Sequence, residues 1–212
     1  MTLLHVFDMD GTLLPNTTAS MQIALVQGGE RWLHDLEEQF RNGLLDTKGF
    51  AAELHRGWSA LTPDDVARAF QQAPKLTGIR HTVEDIHARG DVAVVLSMSP
   101  DFFVDHWLQY GFDVAVGSRF PALPFRAPLD PAGILTFEDK PTIVERLRVR
   151  YGVDARHVVA YGDSESDVPL FKVAGRSVAV NADHHVRDLA SVHYLGDDLF
   201  AAYQLGLADI PQ

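Results

Sequence analysis

The 212-residue sequence contains no cysteine. Disulfides, thiolate nucleophiles and cysteine-ligated metals are therefore excluded. It also lacks an apolar run long enough to span a bilayer. Positive charge is scarce: 18 Lys and Arg stand against 29 Asp and Glu, a net charge of −11. A surface this acidic repels nucleic-acid phosphates and anionic lipid head groups. No local basic patch offsets it, because Arg146, Arg148 and Arg150, beside Lys140, fall at helical spacing and read as a solvated face. Neither nucleic acid nor membrane is an expected partner. There are no internal repeats and no low-complexity tract. The run Met1 to Asp8 meets acidic residues at once, with no basic segment and no long apolar one, so no signal peptide is expected and a cytoplasmic location is the default. Oligomeric state is not legible.

What is present suits a globular chain. Hydrophobic residues make up 46% and charged residues 22%, enough for one substantial core or for a core with a smaller insert. Leu3-Leu4-His5-Val6-Phe7 is a short apolar run ending in Asp8, as a buried parallel strand does where it opens into a loop. Similar runs are Asp91 to Ser97, His157 to Tyr161 and Ser177 to Val180, with Phe112 to Val116 as a fifth candidate. Helical stretches separate them: Ile79 to Arg89, Asp101 to Tyr110 with a stop at Gly111, Lys140 to Tyr151 with Pro141 in its first turn, and Ser166 to Val173. The alternation predicts an α/β fold, a parallel sheet with helices on both faces.

Two stretches break it. From Thr17 to Gln72 the pattern is helical only, in four pieces punctuated by Gly28-Gly29, Gly43 and Thr62-Pro63. This block, residues 16–76, reads as a small all-helical cap inserted into a core made of residues 1–15 and 77–212. The segment Ser118 to Thr136 holds Pro121, Pro124, Pro128 and Pro131, and reads as a loop with at most a short hairpin.

Ligands of open α/β sheets bind in the crevice at the carboxyl ends of the strands, and that is where the polar residues fall. Asp8 and Asp10 follow the first strand, Ser97 the second, Asp163 and Asp167 a later one, and Lys140 starts a helix. Three carboxylates crowded together need a compensating charge. Mg²⁺ fits, since it favours a few carboxylates together with waters and a substrate phosphate. Lys140 adds a point charge, while Ser97 and the N–H groups of the Gly11 turn offer donors to phosphate oxygens. Cation, lysine and donors together describe a phosphoryl site. Taken singly, each match has a plain structural reading as a turn, a strand end or a solvated helix start.

Taken together they resemble the haloacid dehalogenase superfamily. Asp8-Met9-Asp10-Gly11-Thr12-Leu13 is similar to its opening signature, Ser97 after an apolar strand to its second motif, Lys140 to its third, and Gly162-Asp163-Ser164-Glu165-Ser166-Asp167 to its fourth. All four occur in order. The helical insert between the first and second motifs resembles the phosphoserine phosphatase branch. The resemblance implies a Rossmann-like core and Mg²⁺-dependent hydrolysis of a small phosphorylated metabolite. Asp8 would be the nucleophile and form an aspartyl-phosphate. Asp10 would be the general acid and base. Asp8, Asp163, Asp167 and Asp10, the last through its main-chain carbonyl, would surround the metal. Ser97, Lys140, Gly11 and Thr12 would bind phosphate, with Asp167 orienting Lys140. A phosphotransferase or mutase sharing the first half-reaction, and a catalytically silent binding protein, are the alternatives.

Specificity departs from that branch. It carries a Glu in the loop after the first motif, where Thr17 stands here, and no acidic residue occurs from Gly11 to Gly29. The cap Arg that would take a carboxylate aligns loosely with Arg56, with Arg41 and Arg31 as other candidates. Ser97 is followed by Met98-Ser99-Pro100 in place of glycines. The ten histidines show no two-His helical metal spacing, and Trp32 and Trp58 read as cap core.

Overall fold

The computed structural model describes residues 2–208. β1 (Leu4–Phe7) lies at the centre of the sheet and is buried along its whole length. After it come α1 (Ala19–Gln27), α2 (Glu30–Arg41), α3 (Thr47–Gly57), α4 (Pro63–Gln72) and α5 (Ile79–Ala88). β2 (Val92–Pro100), α6 (Asp101–Val104), β3 (Val114–Ser118), α7 (Asp139–Tyr151), β4 (Val158–Gly162) and α8 (Val168–Phe171) follow. β5 (Arg176–Val180), α9 (His184–Arg187), β6 (Val192–Tyr194) and α10 (Leu199–Leu207) complete the order. The six strands form one parallel sheet in the order β3-β2-β1-β4-β5-β6. This is the Rossmann-like α/β arrangement that the apolar runs predict.

Strand alternation divides the core into two apolar layers. Phe7, Val95, Val159, Tyr161 and Val178 face one side, with α5, α10 and the inserted helices packed on them. Leu4, Val6, Val94, Leu96, Ala160 and Ala179 face the other, covered by Val144 and Leu147 of α7 and by Leu170 and Phe171 of α8. Phe7 stacks on Tyr161 with ring centroids 4.2 Å apart, locking β1 to β4.

α1 to α4 fill the stretch between β1 and α5, as the helical spacing predicts. Their boundaries follow local chemistry. Thr18 caps α1 by accepting from the Met21 N–H, and Thr62 with Asp65 closes a capping box at α4, with Pro63 in its first turn. Trp58 is buried, as expected, while half-exposed Trp32 lies over Gly57.

The differences are local. Asp101 to Tyr110 starts as α6 and then tightens into a 3₁₀ helix over Asp105–Tyr110. The proline-rich segment forms no hairpin among the described residues; it holds one 3₁₀ turn at Pro131–Gly133 and a cis Leu123–Pro124 bond. His184 and His185 open the short helix α9. β6 and α10 carry no clear sequence signal. β6 has three residues, and α10 is apolar on most sides because it packs against α5, β5 and β6 together. No described helix is long and apolar enough to cross a membrane.

Candidate active site

β1 ends one residue before Asp8, whose N–H donates to the Tyr161 carbonyl at 2.9 Å. This fixes the Asp8 backbone against β4. The chain then turns at Gly11, where φ is +82°. A Cβ on Gly11 would stand 2.1 Å from Asp163 Oδ2, so only glycine lets the first loop close on the fourth-strand loop. Gly162 plays the same part for Asp167, whose Oδ2 would lie 2.2 Å from an added Cβ.

Lys140 reaches this crevice from the first turn of α7, with only 1% of its surface exposed. Its Nζ donates to Asp8 Oδ1 at 2.7 Å, to Asp167 Oδ1 at 2.6 Å and to Ser166 Oγ at 3.2 Å. Asp167 Oδ2 accepts the N–H groups of Asp163 and Ser164 at 3.1 and 3.3 Å, which shapes the loop after β4. Thr12 donates its hydroxyl to Asp163 Oδ1 at 3.0 Å. Asp8, Asp163 and Asp167 each place a carboxylate oxygen within 4.8 Å of the others.

The electrostatics are unbalanced. Burial, then the neighbouring Asp167 charge, raise the Asp8 pKa well above the ordinary aspartate value, and Lys140 only partly offsets them. Burial and Asp167 push Asp163 up to about 7. Burial pulls Lys140 down, but Asp167 and Asp8 pull harder the other way, so it stays charged. One lysine faces several carboxylates: it holds its proton, and the carboxylates remain under-compensated. An oxygen-only donor set with surplus negative charge fits a hard divalent cation such as Mg²⁺.

Asp10 stands apart from that cluster. Its Oδ1 accepts the Ala19 N–H at 2.6 Å, and its Oδ2 accepts the hydroxyls of Ser99 at 2.6 Å and Ser97 at 3.2 Å. Burial raises its pKa despite these donors, so it holds a proton more readily than an exposed Asp. Its carboxylate is therefore not one of the grouped metal-facing oxygens; the sequence expectation for Asp10 as a ligand rests on its main-chain carbonyl.

Several expectations need correction. Both Thr12 donors are committed elsewhere, the N–H to the Met9 carbonyl at 3.2 Å and the hydroxyl to Asp163. The Gly11 N–H is likewise shared between the carbonyls of Leu14 and Thr17. Neither is a free phosphate donor, because the tight turn consumes them. Ser97 points at Asp10, and Ser99, which the sequence did not single out, makes the shorter bond. Arg56 does not reach the crevice: it is exposed on α3 and pairs with Glu53 three residues earlier. Thr17 does line the cavity above Asp8, where its hydroxyl accepts from Gln22 Nε2 at 2.8 Å. Glu37 and Arg41, one turn apart on α2, line it too. Arg41 is one of the cap arginines the sequence offers beside Arg56, whereas no sequence signal points to Glu37; the place of both at the site depends on how α2 packs.

Carboxylates and a buried lysine gathered at the carboxyl ends of a parallel sheet define an α/β enzyme. The chain belongs to the haloacid dehalogenase-like hydrolase family, whose profile matches residues 5–172. It is 27% identical over 194 residues to a phosphoserine phosphatase of Methanocaldococcus jannaschii, covering 89% of this chain and 90% of that one. A phosphoserine phosphatase of Archaeoglobus fulgidus is 26% identical over 189 residues, 88% of this chain but 55% of the relative. Among solved structures, a substrate-bound phosphoserine phosphatase complex superposes with a TM-score of 0.81 at 23% identity, covering 97% of this chain and 98% of the other. A phospho-aspartyl intermediate analogue of phosphoserine phosphatase gives 0.80, also at 23% identity, with 96% and 98% covered.

Proposed function

We propose that this chain is a Mg²⁺-dependent phosphatase that hydrolyses the phosphate monoester of a small metabolite through an aspartyl-phosphate on Asp8. The observation that carries the reading is the Asp8 carboxylate, fixed at the end of the central strand and held by Lys140 at 2.7 Å, with Asp10, whose pKa burial raises, two residues on. In the first step an Asp8 oxygen attacks phosphorus and the ester oxygen leaves. Asp10 gives that oxygen its proton, as its burial-raised pKa suits it to do, while Ala19, Ser97 and Ser99 fix the aim of its carboxyl group. In the second step Asp10 takes a proton from the attacking water, and phosphate departs from Asp8. Lys140 stabilises the oxygens of the transferring group electrostatically. Mg²⁺, held among Asp8, Asp163 and Asp167, would offset the crowded negative charge so that an anionic ester can enter.

The same reading divides the chain into a core of residues 1–15 and 77–212 and a cap of residues 16–76, and places the protein in the cytoplasm. The position of α1 to α4 between β1 and α5 supports the division.

Phosphate release from a panel of monoesters tests the function. At least one ester is turned over with Mg²⁺, and EDTA abolishes this. Asp8→Asn loses at least about a thousandfold in kcat while its circular dichroism is retained. Turnover by a folded Asp8→Asn protein would show that the nucleophile is misassigned.

A further inference from the structure

The cavity above Asp8 has a volume of about 700 Å³. That is the size class of sites for drug-sized ligands, and a three-carbon alcohol such as serine fills a small part of it. Its polarity is uneven. Asp8, Asp10 and Asp163 lie at one end, while much of the remaining wall is apolar. The helices contribute Met21, Phe50 and Leu54, and the segment between β3 and α7 contributes Phe120, Ile134 and Phe137. Leu54, Phe120 and Ile134 are themselves buried, so the apolar wall is built from the protein's core and belongs to a cleft open to solvent on one side. Phe40 and Phe50 hold the α2–α3 side together with ring centroids 5.2 Å apart. Besides Asp8, Asp10 and Asp163 the lining carries Glu37, Glu165 and Asp183 against a single cation, Arg41, among the described lining residues. A body bearing further phosphates or several carboxylates meets net negative charge there.

We infer that the substrate is a phosphate monoester whose alcohol part is an apolar body larger than serine, without further anionic groups, seated against Phe50, Leu54, Phe120 and Phe137. This deepens the phosphatase reading and rests on it. Burying carbon against these walls is favourable in proportion to the area removed from water. The cleft therefore discriminates by length and apolarity of the leaving alcohol, while the carboxylates and Lys140 treat all phosphate ends alike.

The test is a homologous series under Mg²⁺: methyl, butyl, hexyl and 4-phenylbutyl phosphate, with O-phosphoserine and fructose 1,6-bisphosphate as polar comparators. Expected is a rise in kcat/KM of about two- to fourfold per methylene, with phosphoserine and the bisphosphate below hexyl phosphate. In Phe50→Ala the ratio of kcat/KM for hexyl over methyl phosphate falls at least about fivefold. A series flat with length, or phosphoserine or the bisphosphate preferred over hexyl phosphate, overturns the inference and leaves the phosphatase reading standing. Binding of hexylphosphonate, an unreactive analogue, is followed by calorimetry with Mg²⁺ present. Tighter binding than methylphosphonate supports the apolar cleft even if no ester is hydrolysed, the result that would instead sink the phosphatase reading. Equal binding of the two phosphonates counts against the cleft.

Discussion

Ser99 stands two residues after Ser97 at the end of β2, and it donates to Asp10 at 2.6 Å. Ser97 reaches the same oxygen at 3.2 Å, and the Ser99 N–H in turn donates to Ser97 Oγ at 3.1 Å. One serine orients the acid directly and, through its backbone, orients its neighbour. A hydrogen bond to a charged group is worth about 1.5–3 kcal/mol. Ser99→Ala is therefore expected to lower kcat by about tenfold or more, with KM little changed, because what is lost is the aim of Asp10. Steady-state kinetics on the best ester of the panel checks this; a change confined to KM would place Ser99 in ground-state binding instead.

At the scale of elements, the seam between β1 and β4 carries a buried histidine. His5 Nδ1 lies 3.0 Å from the Tyr161 hydroxyl, and its Nε2 is 3.8 Å from Asp91 Oδ2 with no closer partner. Its ring packs edge-on against Tyr203 of α10, while Asp85 and Arg89, at the end of α5, add opposing longer-range charges. The Asp91 carboxylate favours the charged ring, but burial acts the other way and is larger, so the folded pKa lies below the ordinary value of about 6.5. Above that value the ring is neutral in both folded and unfolded chains, and the fold carries no penalty. As pH falls through about 6.5 the unfolded chain takes the proton first, and stability drops until the folded pKa is reached. The melting temperature should therefore fall more between pH 7.5 and 5.5 in the wild type than in His5→Asn. Equal falls in the two proteins would locate the acid sensitivity elsewhere.

For the whole molecule, the layer that packs on one face of the sheet continues without a break into the inserted helices. Trp58 meets Phe102 edge-on across 6.4 Å, and Phe70 of α4 packs edge-on against Phe103 at 5.4 Å and Trp107 at 5.0 Å. All belong to one apolar cluster that also holds Phe7 and Tyr161. Helices joined to a sheet by a shared core should unfold with it. Far-UV circular dichroism and tryptophan fluorescence are expected to melt together, and Trp58→Ala to cost about 3–5 kcal/mol from the cavity left behind. Two separated transitions would show that the inserted helices fold as an independent unit.

The sequence alone determined the central strands, the order of the inserted helices and the positions of Asp8, Asp10, Lys140 and Asp163. The physical reason is that strands and helices report themselves locally, as an apolar run that ends in a charge or as helical spacing closed by a cap, whereas the site residues are legible only as a set of motifs in a fixed order. Arg56 misled because helical spacing says which residues share a helix face but not which face meets the site; pairing with Glu53 turns it to solvent. The three-residue β6 exists through pairing with β5, and α10 through burial on most sides, so neither has a period of its own. Only the tertiary structure aimed Ser99 at Asp10, committed the Thr12 hydroxyl to Asp163, set Glu37 over the cavity, and brought Arg41 rather than Arg56 to line it. Each of these depends on how separate loops and helices pack together, a relation that hydrophobic spacing along one segment does not encode.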